Sequence, residues 1–146
     1  MSTQAKRKVR VVLIEDSEIA LEILTRILTE SGEVDVVGKA PDGQQGLDLV
    51  EKTKPDVICT DLVMPSMDGL AFTEAVMQRC PRPILVISQH IDPQKHTDNI
   101  FNLMRAGALD FFEKPRSDTE AAYQSVQSIL VNKIKALAYK ASRYKS

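Results

Sequence analysis

Three carboxylates of the 146-residue chain stand where short apolar segments end. Asp61 closes the segment Asp56–Asp61, and Glu15 and Asp16 directly follow the segment Val9–Ile14. In open α/β sheets, ligands bind beyond the C-terminal ends of parallel strands. If both segments are neighbouring strands, their carboxylates form a small acidic cup. Such a cup is suited to a divalent cation and to phosphate chemistry.

Two further strand ends carry polar groups of other types. Ser88 closes the apolar segment Ile84–Ser88, and Lys114 follows the short segment Leu109–Glu113. In a doubly wound parallel sheet these ends share one edge with the carboxylates. The hydroxyl and the ammonium can therefore converge with the carboxylates on one site.

Apolar strand segments alternate with helical patterns along the whole chain, which predicts a parallel sheet with helices on both faces. A further strand is predicted over Val34–Val37. One helix is predicted near Gly69 to Gln78 and another from about Thr119 to Tyr139. The last helix is expected to place one apolar stripe on the core, consisting of Val126, Ile129, Leu130, Ile134 and Leu137.

The composition restricts the class of protein. The length fits one domain, predicted as a tail over 1–8, a folded domain over 9–139 and a tail or linker start over 140–146. A formal net charge of -1 argues against nucleic-acid binding by bulk electrostatics. No apolar run approaches the ~20 residues of a membrane span, and the polar N-terminus does not resemble a secretory signal. Cys59 and Cys80 follow no metal or disulfide spacing, which favours a cytoplasmic protein.

The set of strand-end residues resembles the receiver domain of response regulators in two-component signalling. The resemblance covers about Val9 to Leu137 and rests on Glu15-Asp16, Asp61, Ser88 and Lys114-Pro115. It implies a flavodoxin-like, doubly wound, five-stranded parallel sheet of order 2-1-3-4-5 with five helices.

The resemblance also implies a Mg²⁺ site. Asp16 and Asp61 would bind the ion directly, together with the backbone carbonyl of Val63, and Glu15 would act directly or through water. Magnesium prefers oxygen ligands and keeps several waters, which leaves a place for a phosphoryl oxygen.

Asp61 would be the nucleophile that takes a phosphoryl group from a phosphohistidine, giving 4-aspartylphosphate. In the family, Lys114 and the Ser88 hydroxyl would contact the phosphoryl oxygens, and the Lys114–Pro115 bond would be cis. Phe111, three residues before the lysine, would change rotamer, and Phe111 and Ser88 together would form the switch. Such a domain is a signalling module that catalyses only its own phosphorylation and dephosphorylation.

The implied partners are a histidine kinase or phosphotransfer protein and a downstream protein on the face of helix 4, strand 5 and helix 5. A monomer or weak dimer is expected. The segments Gly107–Pro115 and Met67–Phe72 resemble the receivers of chemotaxis methylesterases. The chain is therefore a stand-alone regulator, or a piece of a longer protein such as a methylesterase.

Other classes of function remain as alternatives. A small Mg²⁺-dependent phosphohydrolase would carry a second aspartate two residues after the nucleophile, where this chain has Val63. A nucleotide-binding module would need a glycine-rich loop after the first strand, and none follows Ile14. A degenerate receiver used only for binding would lack part of the acidic set.

Overall fold

The computed structural model describes residues 7–61, 67, 69–88, 102–115, 117 and 119–144. Five strands lie in this part of the chain: β1 Val9–Ile14, β2 Val34–Ala40, β3 Val57–Asp61, β4 Ile84–Ser88 and β5 Asp110–Glu113. The helices there are α1 Glu18–Glu30, α2 Gly43–Thr53, α3 Gly69–Arg79, α4 (residues 102–106), α5 Glu120–Gln124 and α6 Gln127–Tyr144.

The strands form one parallel sheet in the order β2-β1-β3-β4-β5. This confirms the predicted flavodoxin-like arrangement. Leu13 of β1 pairs with Cys59 of β3, which pairs with Leu85 of β4. The register therefore brings the C-terminal ends of these strands to the same edge.

Helices cover both faces of the sheet and bury a separate core on each. On one face, α1, α5 and α6 pack their apolar side chains on alternate strand residues such as Leu13 and Cys59. On the other face, α2, α3 and α4 pack on the intervening residues, such as Ile14 and Ile58. The strand residues are buried on both sides, which explains why β1, β3 and β4 read as nearly continuous apolar runs.

Local sequence signals fix several helix ends. The Ser17 hydroxyl accepts a hydrogen bond from the Ala20 N–H at 3.2 Å and begins α1. The Asp42 carboxylate accepts a hydrogen bond from the Gln45 N–H at 2.9 Å and begins α2. Gly32 has a φ of 76°, a conformation that favours glycine and lets the chain leave α1.

The structure departs from the sequence prediction in the last helix, which is broken into α5 and α6 at Ser125 and Val126. The Ser125 hydroxyl donates to the Ala122 carbonyl at 2.6 Å, and the Val126 N–H donates to the Tyr123 carbonyl at 3.1 Å. These short-range bonds tighten the turn and reset the phase of the helix that follows.

The predicted apolar stripe is therefore wrong at Ile129, which is 52% exposed. The core face of α6 is instead formed by Leu130, Val131, Ile134 and Leu137. The helix also continues to Tyr144, beyond the predicted end at Tyr139. β2 likewise runs to Ala40, three residues past its predicted end at Val37.

Among the described residues, no helix combines the length and the apolar character that crossing a bilayer requires.

Candidate functional site

Backbone hydrogen bonds fix the chain where the strands end. The Glu15 N–H donates to the Ala40 carbonyl at 3.0 Å, which ties the end of β1 to the end of β2. The Lys114 N–H donates to the Ser88 carbonyl at 2.7 Å, which ties the residue after β5 to the end of β4. Asp61 is the last residue of β3, which lies between β1 and β4 in the sheet.

The Lys114 ammonium joins two of the predicted carboxylates. It contacts Oε1 of Glu15 and lies 3.1 Å from Oδ2 of Asp61. Lys114 and Glu15 are buried, and the Asp61 side chain is 13% exposed. The second Glu15 oxygen accepts a hydrogen bond from the Ser17 N–H at 3.1 Å. This role of Ser17 was not predicted, although its place before α1 marks it as a helix cap.

Glu15, Asp16 and Asp61 each offer a carboxylate oxygen, and these oxygens lie within 4.8 Å of one another. Glu15 is buried, Asp16 is exposed and Asp61 is intermediate, so the cluster opens to solvent on one side. An all-oxygen donor set with an open side fits a hard cation such as Mg²⁺, which retains water ligands. Val63, the remaining predicted metal ligand, lies outside the described residues.

Burial and neighbouring charges shift the pKa values of Glu15 and Lys114. Burial raises the pKa of Glu15 from 4.5 to about 7, and the Asp61 charge adds to this effect against the opposing influence of Lys114. Burial lowers the pKa of Lys114, but hydrogen bonding to Glu15 and the charge of Asp61 raise it above its usual value. The ammonium therefore stays charged and holds the carboxylates together.

Ser88 and Phe111 lie where the resemblance placed them in the sheet. Ser88 closes β4 and is buried. Phe111 pairs with Val86 of β4, two residues before Ser88, and packs half-buried against the core beneath α2 and α3. The neighbouring Phe112 is buried in the opposite core.

The expected cis bond before Pro115 is absent, because the described residues contain no cis peptide. A trans bond is sufficient here. The hydrogen bond from the Lys114 N–H to the Ser88 carbonyl already positions Lys114 so that its side chain reaches Asp61.

Comparison with known proteins agrees with this geometry. The chain is 35% identical over 130 residues to a protein-glutamate methylesterase/protein-glutamine glutaminase of Sulfurimonas denitrificans, covering 89% of this chain and 36% of that protein. It is also 35% identical over 127 residues to the corresponding protein of Natronomonas pharaonis, covering 87% of this chain and 35% of that protein. The chain thus spans about a third of the length of these curated relatives.

Among solved structures, the response regulator domain of Thermotoga maritima CheB is similar, with a TM-score of 0.81 and 27% identity. That match covers 91% of this chain and 98% of that domain. A sequence model described as the response regulator receiver domain matches residues 11–126. The matched region contains β1 from Val11 onward, β2 to β5 and all four strand ends described above. The chain therefore belongs to the response regulator receiver domain family.

Proposed function

We propose that this receiver domain accepts a phosphoryl group on Asp61, with Mg²⁺ held by Asp16, Asp61, Glu15 and the Val63 carbonyl. The observation that carries the proposal is the Lys114 ammonium, placed between Glu15 and Asp61 beside the three-carboxylate cluster. A nucleophilic carboxylate, a set of hard oxygen ligands and a fixed cation are thereby gathered at one strand edge.

The chemistry follows from the residues present. An Asp61 carboxylate oxygen forms a bond to phosphorus while the phosphorus–nitrogen bond of a phosphohistidine breaks, and the imidazole leaves. When bound, Mg²⁺ would supply positive charge to the phosphoryl oxygens. Lys114 releases its contact with Asp61 and pairs with one phosphoryl oxygen, and the Ser88 hydroxyl donates to another. Phe111 and Ser88 act as the switch that senses the new charge.

The rest of the functional assignment belongs to the same proposal. The donor is a histidine kinase or phosphotransfer protein, and the location is the cytoplasm. The downstream partner binds the face of α4, β5 and α6, where Lys133 of α6 and Asp110 of β5 pair at 3.1 Å. The chain acts as a monomer or weak dimer.

We also propose that the functional unit spans 9–139, with the adjoining segments 1–8 and 140–146 outside it. The curated relatives are named as methylesterases and are about three times as long as the matched region. Chemotaxis is therefore the proposed pathway, with an esterase domain as the proposed output.

The test is labelling with acetyl phosphate. Wild-type protein incubated with Mg²⁺ should incorporate one phosphoryl group, seen as a shifted band on a phosphate-affinity gel and as a mass increase. Asp61→Asn removes the nucleophilic carboxylate and should abolish labelling. The matched control is Asp48→Asn, an exposed aspartate of α2, which should label like wild type.

Full labelling of the Asp61→Asn protein would show that another residue is the acceptor. Labelling that needs no divalent cation would count against the metal site. Continuous release of phosphate in large excess over protein would instead indicate the phosphohydrolase alternative.

A further inference from the structure

The connection between β2 and α2 supports both sides of the acidic site. Ala40, the last residue of β2, accepts the backbone hydrogen bond from Glu15 at 3.0 Å. Gly43, the first residue of α2, lies directly against Met67, which follows Asp61 by six positions in the chain. Glu15 and the far end of the segment that begins at Asp61 are therefore fastened to the same short stretch of backbone.

The contact between Gly43 and Met67 leaves no room for a side chain at position 43. A Cβ atom there would lie 2.9 Å from the Met67 carbonyl oxygen, 3.0 Å from its Cβ and 3.1 Å from its Cγ. The nearest of these atoms belongs to the backbone, so a change of Met67 rotamer cannot relieve the clash. The chain at Met67 would have to move.

Space alone requires glycine at this position. Gly43 is not among the glycines with positive φ, and it is the first residue of α2. An alanine would adopt this backbone without strain and is a better helix former than glycine. The fold does not need glycine here for the sake of α2 itself.

We infer that Gly43 is a positioning residue for the proposed phosphorylation site, because it lets Met67 fix the far end of the segment from Asp61. This inference rests on the proposed function of Asp61 and Mg²⁺. Residues that orient metal ligands typically change metal affinity by about 10-fold to 100-fold when they are altered. Gly43→Ala should therefore weaken Mg²⁺ binding while the protein stays folded.

The experiment compares Gly43→Ala with Gly38→Ala, a matched control on β2. A Cβ at position 38 would lie 3.2 Å and 3.5 Å from the two methyl groups of the Leu49 side chain, which can move aside. Mg²⁺ affinity is measured by isothermal titration calorimetry. We expect about a 10-fold rise in the Mg²⁺ dissociation constant for Gly43→Ala and no change for Gly38→Ala. At saturating Mg²⁺, the initial rate of labelling by acetyl phosphate should return towards the wild-type rate.

A second readout needs no metal. In protein labelled with ¹³C at the methionine methyl groups, the Met67 signal should shift in Gly43→Ala and stay in place in Gly38→Ala. The Met67 signal is assigned by its loss in Met67→Leu. Thermal unfolding in EDTA shows whether both glycine variants are folded.

The outcomes separate the two proposals. If wild type neither binds Mg²⁺ nor labels, the proposed function fails. If wild type does both and Gly43→Ala binds Mg²⁺ equally well with an unmoved Met67 signal, the positioning role of Gly43 is overturned. A lower folded fraction with unchanged Mg²⁺ affinity would also overturn it, since that result describes a purely structural glycine.

Discussion

At the scale of single residues, Lys114 determines how the carboxylates of the site are held together in the absence of a metal ion. Two carboxylates at about 4 Å in an environment of effective dielectric near 20 repel by about 4 kcal/mol. The ammonium lies between Glu15 and Asp61 and compensates this repulsion. Lys114 and Glu15 are buried, so removing the ammonium leaves the repulsion between the Glu15 and Asp61 carboxylates uncompensated by Lys114.

Lys114→Met should therefore destabilise the metal-free protein by about 3 kcal/mol, the lower end of the range for breaking a buried ion pair. Mg²⁺ should reduce this loss by supplying the missing positive charge. Urea unfolding in EDTA and in Mg²⁺ measures both effects. The control Lys133→Met breaks the more exposed pair with Asp110 and should cost less than about 1 kcal/mol. Equal losses of stability for the two variants would argue against the role of Lys114 in holding the carboxylates together.

The pKa of Glu15 predicts a dependence of stability on pH in metal-free protein. Because the folded-state pKa is raised from 4.5 to about 7, the folded chain holds the proton more tightly than the unfolded chain. This stabilisation is complete below pH 4.5 and is lost as the pH rises through about 7. The free energy of unfolding of wild type, relative to Glu15→Gln, should fall across that window.

Urea unfolding in EDTA at several pH values within that window measures the difference. Glu74→Gln, at an exposed position of α3, is the control and should follow wild type throughout. If the difference in the free energy of unfolding between wild type and Glu15→Gln does not change with pH, Glu15 titrates alike in the folded and unfolded chain.

At the scale of elements, the pattern of burial decided which parts of the fold could be predicted. β4 was predicted with its observed bounds because all five of its residues are buried and apolar or small. β2 was predicted too short because its later residues include Gly38 and the exposed Lys39, which interrupt the apolar pattern. The break at Ser125 was missed because a hydroxyl that bonds to its own helix is not visible as a change in hydrophobic pattern.

The candidate site, too, could be predicted from the sequence only in part. The carboxylates and Lys114 were predicted from their positions at strand ends, because parallel topology brings such ends together. The support given by Ala40 and Gly43 was not predicted, since it depends on close approach of backbone segments that are distant in the sequence.

Burial of β3 also separates the two cysteines. Cys59 is buried in the sheet, and burial raises its pKa to about 12. Cys80 lies after α3 and is only partly buried, and burial and the charge of Glu51 raise its pKa. Because the thiolate is the reactive form, a disulfide reagent such as Ellman's should modify Cys80 alone in the native protein.

Denaturation in urea should make both thiols available, and mass spectrometry identifies the modified residue. Cys80→Ser, the control, should show no rapid modification until it unfolds. Modification of Cys59 at the rate of Cys80 in native protein would show that β3 opens readily.

At the scale of the whole molecule, the sheet divides the interior into two cores that share no side chain among the described residues. Phe112 belongs to the core beneath α1 and α6, whereas Phe111 packs on the core beneath α2 and α3. The core that contains Ile14 and Ile58 includes Leu103 of α4, and the core that contains Leu13 and Cys59 includes Leu130 and Ile134 of α6. Each core therefore packs one helix of the proposed output face against the sheet.

The acidic site also has a consequence for when the chain becomes able to signal. Its parts come from the ends of β1 and β3 and from the residue after β5, so no single stretch of sequence contains them. Lys114 leaves the ribosome long after Glu15, and until β5 joins the sheet the two carboxylates lack their shared cation. On the proposed function, a nascent or partly unfolded chain would thus be a poor acceptor of a phosphoryl group. Competence for the proposed phosphorylation would be acquired only when the sheet is complete.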